Sequence, residues 1–191
     1  MMVNNNNALI PELVIPNGFK RDPETIEVRN KEDVRVVRYN NPNDHRLNNE
    51  HVVLVFGSDN RLISYNGYYE QSGDLPDDEE SLKIAEGIFE KLDPKYARGL
   101  SFIRIDYQSR SFHSPDGKEI TIPIKWVKFA HRNGSYNWVS VGPNGSIVEM
   151  ERESQWDYFR GRRKTEQWNL DDWVLAREGN GPQLDAPNAL A

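Results

Sequence analysis

The sequence predicts an α+β fold: an antiparallel β-meander sheet packed by one main amphipathic helix. Three observations carry this reading. Leu82, Ala85, Ile88, Phe89 and Leu92 recur at three- and four-residue steps, which draws a single apolar stripe along a helix. Beyond that helix, runs of strand length alternate with turn signals such as "SPDG" and "RNGS". The stretch "VVLVFGSDNRLISY" (52–65) is echoed by "NWVSVGPNGSIVEM" (137–150), with Gly57 falling on Gly142, Asp59 on Asn144, Leu62 on Ile147 and Tyr65 on Met150.

Residues 1–23 are rich in Asn and Pro, show no sustained period, and read as an extended or mobile N-terminal segment. A single α+β domain is expected over 24–181. "DVRVVRYN" (33–40) and "HVVLVF" (51–56) are Val-rich strands, and "GSDN" turns the chain into a returning strand over 61–69. The helix follows within 76–94. Asp77 stands at its N-cap, with Glu80 three residues on in a capping-box pattern, and Pro94 stops it. Strands are expected over 101–113, 119–131, 136–141 and 146–153. The second places Ile120, Ile122, Ile124, Trp126, Lys128 and Ala130 on one face, and "EMERE" (149–153) alternates as a solvent-facing strand would. A short helix capped by Asn169 and ended by Gly179 is expected over "NLDDWVLARE", and residues 182–191 read as a loose tail.

The two copies of the hairpin motif lie 85 positions apart, from Gly57 to Gly142. They fit a half-repeat over 24–69 and a fuller repeat over 77–153, and they fit equally a coincidence of good turn chemistry. A helix of the "EESLKIAEGIFEKL" kind, followed by a meander that ends in "WVSVGPNGSIVEM", resembles the PepSY and PepSY-like family over about residues 52–153. Val141, Gly145, Ile147 and Met150 occupy its signature positions; Gly142 stands where that family usually has Asp, and Met150 where it has an aromatic. The resemblance implies a duplicated helix-on-sheet (PepSY/cystatin-like) unit. It also implies a role in protein contact or peptidase regulation without catalytic residues.

Composition excludes several chemistries. With 191 residues, 37% hydrophobic and 28% charged, the chain can bury one sizeable core. There is no cysteine, hence no disulfide framework, no thiol nucleophile and no Cys-ligated metal. The formal charge of −6 argues against nucleic acid as a partner. No run reaches the roughly 18 apolar residues of a membrane span. The chain as written begins without a signal peptide and reads as cytoplasmic; an upstream export signal would make it secreted.

His45, His51, His113 and His131 show no metal-ligand spacing, and they read as edge and loop residues. A site built from His113, His131 and a carboxylate is the alternative. No nucleophilic Ser motif, phosphate loop or calcium loop occurs. Thirty acidic residues make some glycosidase-like pair inevitable on paper, so their number decides nothing. No catalytic residue, metal site or cofactor is therefore expected.

What remains is the aromatic-basic segment within 154–181. Trp156, Tyr158, Phe159, Arg160, Arg162, Arg163 and Lys164 combine the residue types that dominate protein interfaces, so they are the candidate partner-binding residues. The competing reading is that the aromatics complete the core while the cations offset nearby acids. The expected function is a non-catalytic protein-interaction or regulatory module with an unidentified protein partner. The alternative is a small enzyme or ligand-binding domain with a cleft between helix and sheet.

Overall fold

The computed structural model describes residues 2–5 and 8–191, with side chains described from Ile10 onward. Its strands are β1 (Met2–Asn5), β2 (Ala8–Val14), β3 (Lys20–Arg21), β4 (Thr25–Arg29), β5 (Glu32–Asn40), β6 (His51–Phe56) and β7 (Leu62–Tyr68), then β8 (Leu100–His113), β9 (Glu119–His131), β10 (Tyr136–Val141), β11 (Ile147–Ser154), β12 (Trp156–Asp157) and β13 (Arg162–Arg163). The helices are α1 (Asp78–Leu92), α2 (Pro94–Ala97) and α3 (Asp171–Arg177). Nine strands form one antiparallel sheet in the order β3-β5-β6-β7-β11-β10-β9-β8, with β4 also pairing to β5. The fold is the expected α+β class.

Helix α1 begins where its chemistry places it. The Asp77 carboxylate accepts the Glu80 amide at 2.8 Å, satisfying a donor that the first turn leaves open, and Asp78, Glu79 and Glu80 sit at the positive end of the helix. Ala85, Ile88, Phe89 and Leu92 are buried; Leu82 is only half-buried, and Ser81 points inward in the first turn instead. Phe89 meets Phe129 edge-on, with ring centroids 5.6 Å apart, and Val127, Val139, Val141, Ile147 and Met150 supply the facing sheet surface. Burying this stripe against the sheet is the main reason the helix is stable, since an isolated helix of this length is marginal.

Both copies of the echoed motif form hairpins closed by equivalent backbone bonds, although the second turn is a 3-10 turn with Asn144 also left-handed. The Gly57 amide donates to Arg61 O at 2.9 Å and the Asn60 amide to Gly57 O at 2.9 Å. The Gly142 amide donates to Ser146 O at 2.8 Å and the Gly145 amide to Gly142 O at 3.2 Å. Asn60 and Gly145, at equal places in the two turns, both take left-handed backbone, with φ of 64° and 72°. The two hairpins then pair with each other through β7 and β11 at the centre of the sheet.

Several expectations need correcting. The N-terminal segment is not loose where it is described: β1 and β2 pair as a hairpin, and Ile10, Leu13 and Ile15 are buried in the main core. Residues 1, 6 and 7 of that segment lie outside the described residues. Strand β4 was not expected, because its apolar Ile26 and Val28 face outward and its inward residue is Arg29. Asn169 does not cap α3, whose N-cap is Leu170 and carries no side-chain cap bond. The tail is docked: the Arg163 amide donates to Pro187 O at 2.8 Å, and the buried Ala189 donates its amide to Gln167 Oε1 at 2.7 Å. No helix among the described residues is long and apolar enough to cross a membrane.

Candidate functional site

With α1 covering one face of the sheet, the opposite face is the one that differs from an ordinary core. The register of five strands sets two rows of side chains across it. Ser64, Glu151, Trp138, Lys128 and Arg104 face one another in turn across β7, β11, β10, β9 and β8. One step along, Asn66, Glu149, Ser140, Trp126 and Asp106 form the next row. Period-2 alternation places both rows on the same side of the sheet.

Residues 155–191 cover one half of this surface. Asn169 reaches down from just before α3 so that its Nδ2 lies 2.9 Å from Ser64 Oγ and 3.1 Å from both Asn66 Oδ1 and Glu151 Oε2. Arg163 of β13 grips Glu151, and its guanidinium carbon lies 5.4 Å from the centre of a Trp138 ring. The other half, over β8 and β9, stays open. Between cover and open sheet lies a cleft of about 470 Å³, within the range of small-molecule sites. Trp126, Tyr136, Trp138 and Trp156 line it, and Leu170 and Pro187 of the cover add further apolar surface.

The charges in the cleft are matched closely. Glu149 accepts four hydrogen bonds: from Arg110 Nε at 2.6 Å, Arg110 Nη2 at 2.9 Å, the Tyr68 hydroxyl at 2.5 Å and Ser140 Oγ at 2.5 Å. Burial alone would raise its carboxyl, but Arg110 and the two hydroxyls outweigh burial and hold it below the usual carboxylate value. Glu151 also accepts four: from Arg29 Nη2 at 3.0 Å, Arg163 Nη1 at 3.2 Å, Arg163 Nη2, and Asn169 Nδ2 at 3.1 Å. An ionised carboxylate has about four acceptor sites, so both are saturated. Asp106 takes Arg104 Nε at 2.7 Å.

Lys128 stands apart. Among the described residues no carboxylate lies within ion-pair distance of it. Its ammonium rests instead on aromatic faces, 4.4 Å from the centre of Tyr136 and 5.1 Å from that of Trp126. Burial, with Arg104 beside it, lowers its pKa from the ordinary lysine value.

The residues singled out from the sequence divide here. Trp156 is half-buried and lines the cleft, and Arg163 is buried on Glu151. Tyr158, Phe159 and Arg160 are the exposed tip of the β12–β13 hairpin, where Asp157 Oδ1 accepts the Phe159 and Arg160 amides, each at 3.0 Å. The Tyr158 hydroxyl lies 2.7 Å from that of Tyr136 and ties the tip to the sheet. Arg162 is half-buried and donates to Leu184 O, while Lys164 is exposed at the margin of a second polar hollow. Arg163 is thus a structural cation, not a free one. "EMERE" is also corrected: Glu149 and Glu151 are buried, because the C-terminal cover turns a solvent face into an interior one.

The expected position for a cleft, between helix and sheet, is filled by the main core. A shallower groove of about 420 Å³ stays open where α1 and α2 meet β8, lined by Phe89, Ala97, Leu100 and Phe102. His113 and His131 end at opposite ends of the β8–β9 ladder, facing Glu119 and Leu100 respectively, so they cannot share a metal ion. Trp126, Lys128, Glu149 and Glu151 were visible in the sequence as alternating residues. Only the strand register brings them together. Compared with known proteins, the chain matches no family model, no curated sequence and no solved structure.

Proposed function

We propose that this chain is a non-catalytic binding module and that the cleft on the polar face of the sheet is its recognition site. The observation that supports this most is the saturation of Glu149 and Glu151, each by four hydrogen bonds, in a cleft that Trp126, Trp138 and Trp156 also line. A general base or nucleophile needs an oxygen free to meet substrate, and an acid needs a raised pKa. Neither carboxylate has an oxygen free in this way, and Glu149 is held below the usual carboxylate value. Indole walls with placed polar groups instead suit a ligand that is held and released unchanged.

The test uses the cleft's own fluorophores. Titration with a panel of saccharides, organic acids and short peptides, with chromatography of each mixture afterwards, should give a saturable change in tryptophan emission and no product. Conversion of a ligand at a rate abolished in Glu149→Gln would sink the reading.

A second reading has its own observation. Phe159 is 99% exposed at the tip of a hairpin pinned to the sheet by Tyr158 and Tyr136, and Arg160 is exposed beside it. A rigidly presented aromatic next to a cation suits a protein contact of the kind the PepSY resemblance implies. In that case Phe159→Ala would remove capture of a partner without altering ligand titrations in the cleft.

A further inference from the structure

We infer that the cleft takes an acidic saccharide, a sugar ring bearing a carboxylate, with Lys128 as the anchor of that carboxylate. This rests on the reading of the cleft as a binding site and names what enters it. The argument begins with charge. Four cations line the cleft, and three of them are each matched to a lining carboxylate: Arg104 to Asp106, Arg110 to Glu149 and Arg163 to Glu151. Lys128 is the cation left over, in a chain whose formal charge is −6. An ammonium removed partly from water and held against aromatic rings gains most from an anion brought to it. Arg104 faces Lys128 directly across the β8–β9 ladder. It spends Nε on Asp106, and its guanidinium carbon lies 5.8 Å from the centre of a Trp126 ring.

The walls choose the body that carries the anion. Trp126 and Trp138 stand side by side on the floor with ring centroids 5.6 Å apart and planes inclined by 47°. Two inclined indoles leave no parallel slot for a flat aromatic ring. They do suit the C–H face of a puckered sugar ring laid against an electron-rich π surface. The other side chains that reach the cleft include Asn66, Gln108, Gln167, Asn188 and Ser154. Amides and hydroxyls arrayed around indoles match a ligand that is hydroxylated along its edge and apolar on its face.

The experiment compares cellobiouronic acid with cellobiose, which differs from it by lacking the carboxylate, and with benzoate, which has the carboxylate without the sugar. Calorimetry on the full chain should show the acid disaccharide binding at least about tenfold more tightly than cellobiose, and benzoate more weakly than either. Lys128→Gln should bring the acid disaccharide down to the level that cellobiose shows with the same variant. Lys128→Arg, which keeps charge and reach, should stay within about threefold of the parent. A thermal midpoint unchanged in Lys128→Gln excludes misfolding as the cause, and Lys128→Arg carries the test if that variant fails to fold. Equal binding of the two disaccharides, benzoate as the tightest ligand, or no binding of either disaccharide overturns the inference. Those results leave the binding module standing if another panel ligand still perturbs the tryptophans without turnover; product formation removes the module reading itself.

Discussion

Tyr65 and Met150 lie directly opposite each other in the β7–β11 ladder, both wholly buried. They are also the residues at equal positions in the two hairpin motifs. Their neighbours cross over in the same sense, Ser64 facing Glu151 and Asn66 facing Glu149. A local two-fold axis therefore passes between Tyr65 and Met150. It relates the meander β4-β5-β6-β7 to the meander β8-β9-β10-β11. The relation stops at the sheet. Helix α1 precedes the second meander, whereas the β1–β2 hairpin and β3 precede the first. On the helix face of the axis, the Tyr65 hydroxyl donates to Val14 O at 2.7 Å, which ties β2 to the centre of the sheet.

Because the axis lies in the main core, Met150→Ala should remove packing from both halves at once. The expected loss is about 2–5 kcal/mol, the range for truncating a buried long apolar side chain. Urea unfolding measures it. A loss near zero would mean that the halves do not share one core.

The helix stripe makes a graded prediction. Phe89 is buried against Phe129, while Leu82 is half-buried at the first turn. Phe89→Ala should cost about 3–5 kcal/mol, and Leu82→Ala distinctly less. Equal losses would show that the first turn packs as tightly as the last.

Much of this architecture was legible in the sequence. The α1 stripe, the cap at Asp77, and the turns at 57–60, 114–117 and 142–145 all follow from local rules that act within a few residues. What was illegible depended on pairing across the sheet. Glu149 and Glu151 alternate with Val148 and Met150 as solvent-facing residues do, and nothing nearby reveals that Arg29, Arg110 and Arg163 converge on them. Strand β4 was hidden for a related reason. Its inward side chain is Arg29, buried because Glu151 lies 122 residues further on to receive it. The one local signal was the density of Trp and Arg beside "EMERE". It pointed to the right region but joined the buried Arg163 with the exposed Phe159.

Those two residues should now separate by experiment. Arg163→Ala leaves Glu151 with Arg29 as its one ion-pair partner, beside the Asn169 amide, and removes a cation from above Trp138, so it should cost about 3–5 kcal/mol, as breaking a buried ion pair does. Phe159→Ala, at a side chain 99% exposed, should leave the unfolding midpoint where it is. Matching losses in the two variants would mean that the hairpin tip is packed in solution.

The last prediction concerns pH and the clasp that holds α3. Asp171, at the start of that helix, accepts Arg38 Nη1 at 2.5 Å, Arg38 Nη2 at 2.9 Å and the Asn48 amide at 2.6 Å. His51 is buried beside this group. Its Nδ1 lies 2.7 Å from Asn49 O and 3.8 Å from Asp171 Oδ2, and its Nε2 has no hydrogen-bond partner among the described residues. The Asn49 carbonyl fixes the proton on Nδ1, so the buried Nε2 is the atom that must take up the second proton. Burial lowers the His51 pKa from 6.5, outweighing the pull of Asp171, and Arg38 adds to the lowering. The sign follows from linkage: the unfolded chain binds the proton at a higher pH than the folded one. The stability contributed by neutral His51 is therefore fully present above pH 6.5 and is lost as the pH falls toward the lowered folded value. Glu149 acts later, because its contribution is present above 4.5 and is lost only as the pH falls below that. Urea midpoints measured from pH 7.5 downward should thus decline in two stages, and His51→Gln should abolish the first stage while keeping the second. Hydrogen exchange should place the first stage in α3 and in the cover that Asp171 holds. A first stage that persists in His51→Gln would assign it to another group and leave the buried imidazole without a role in the clasp.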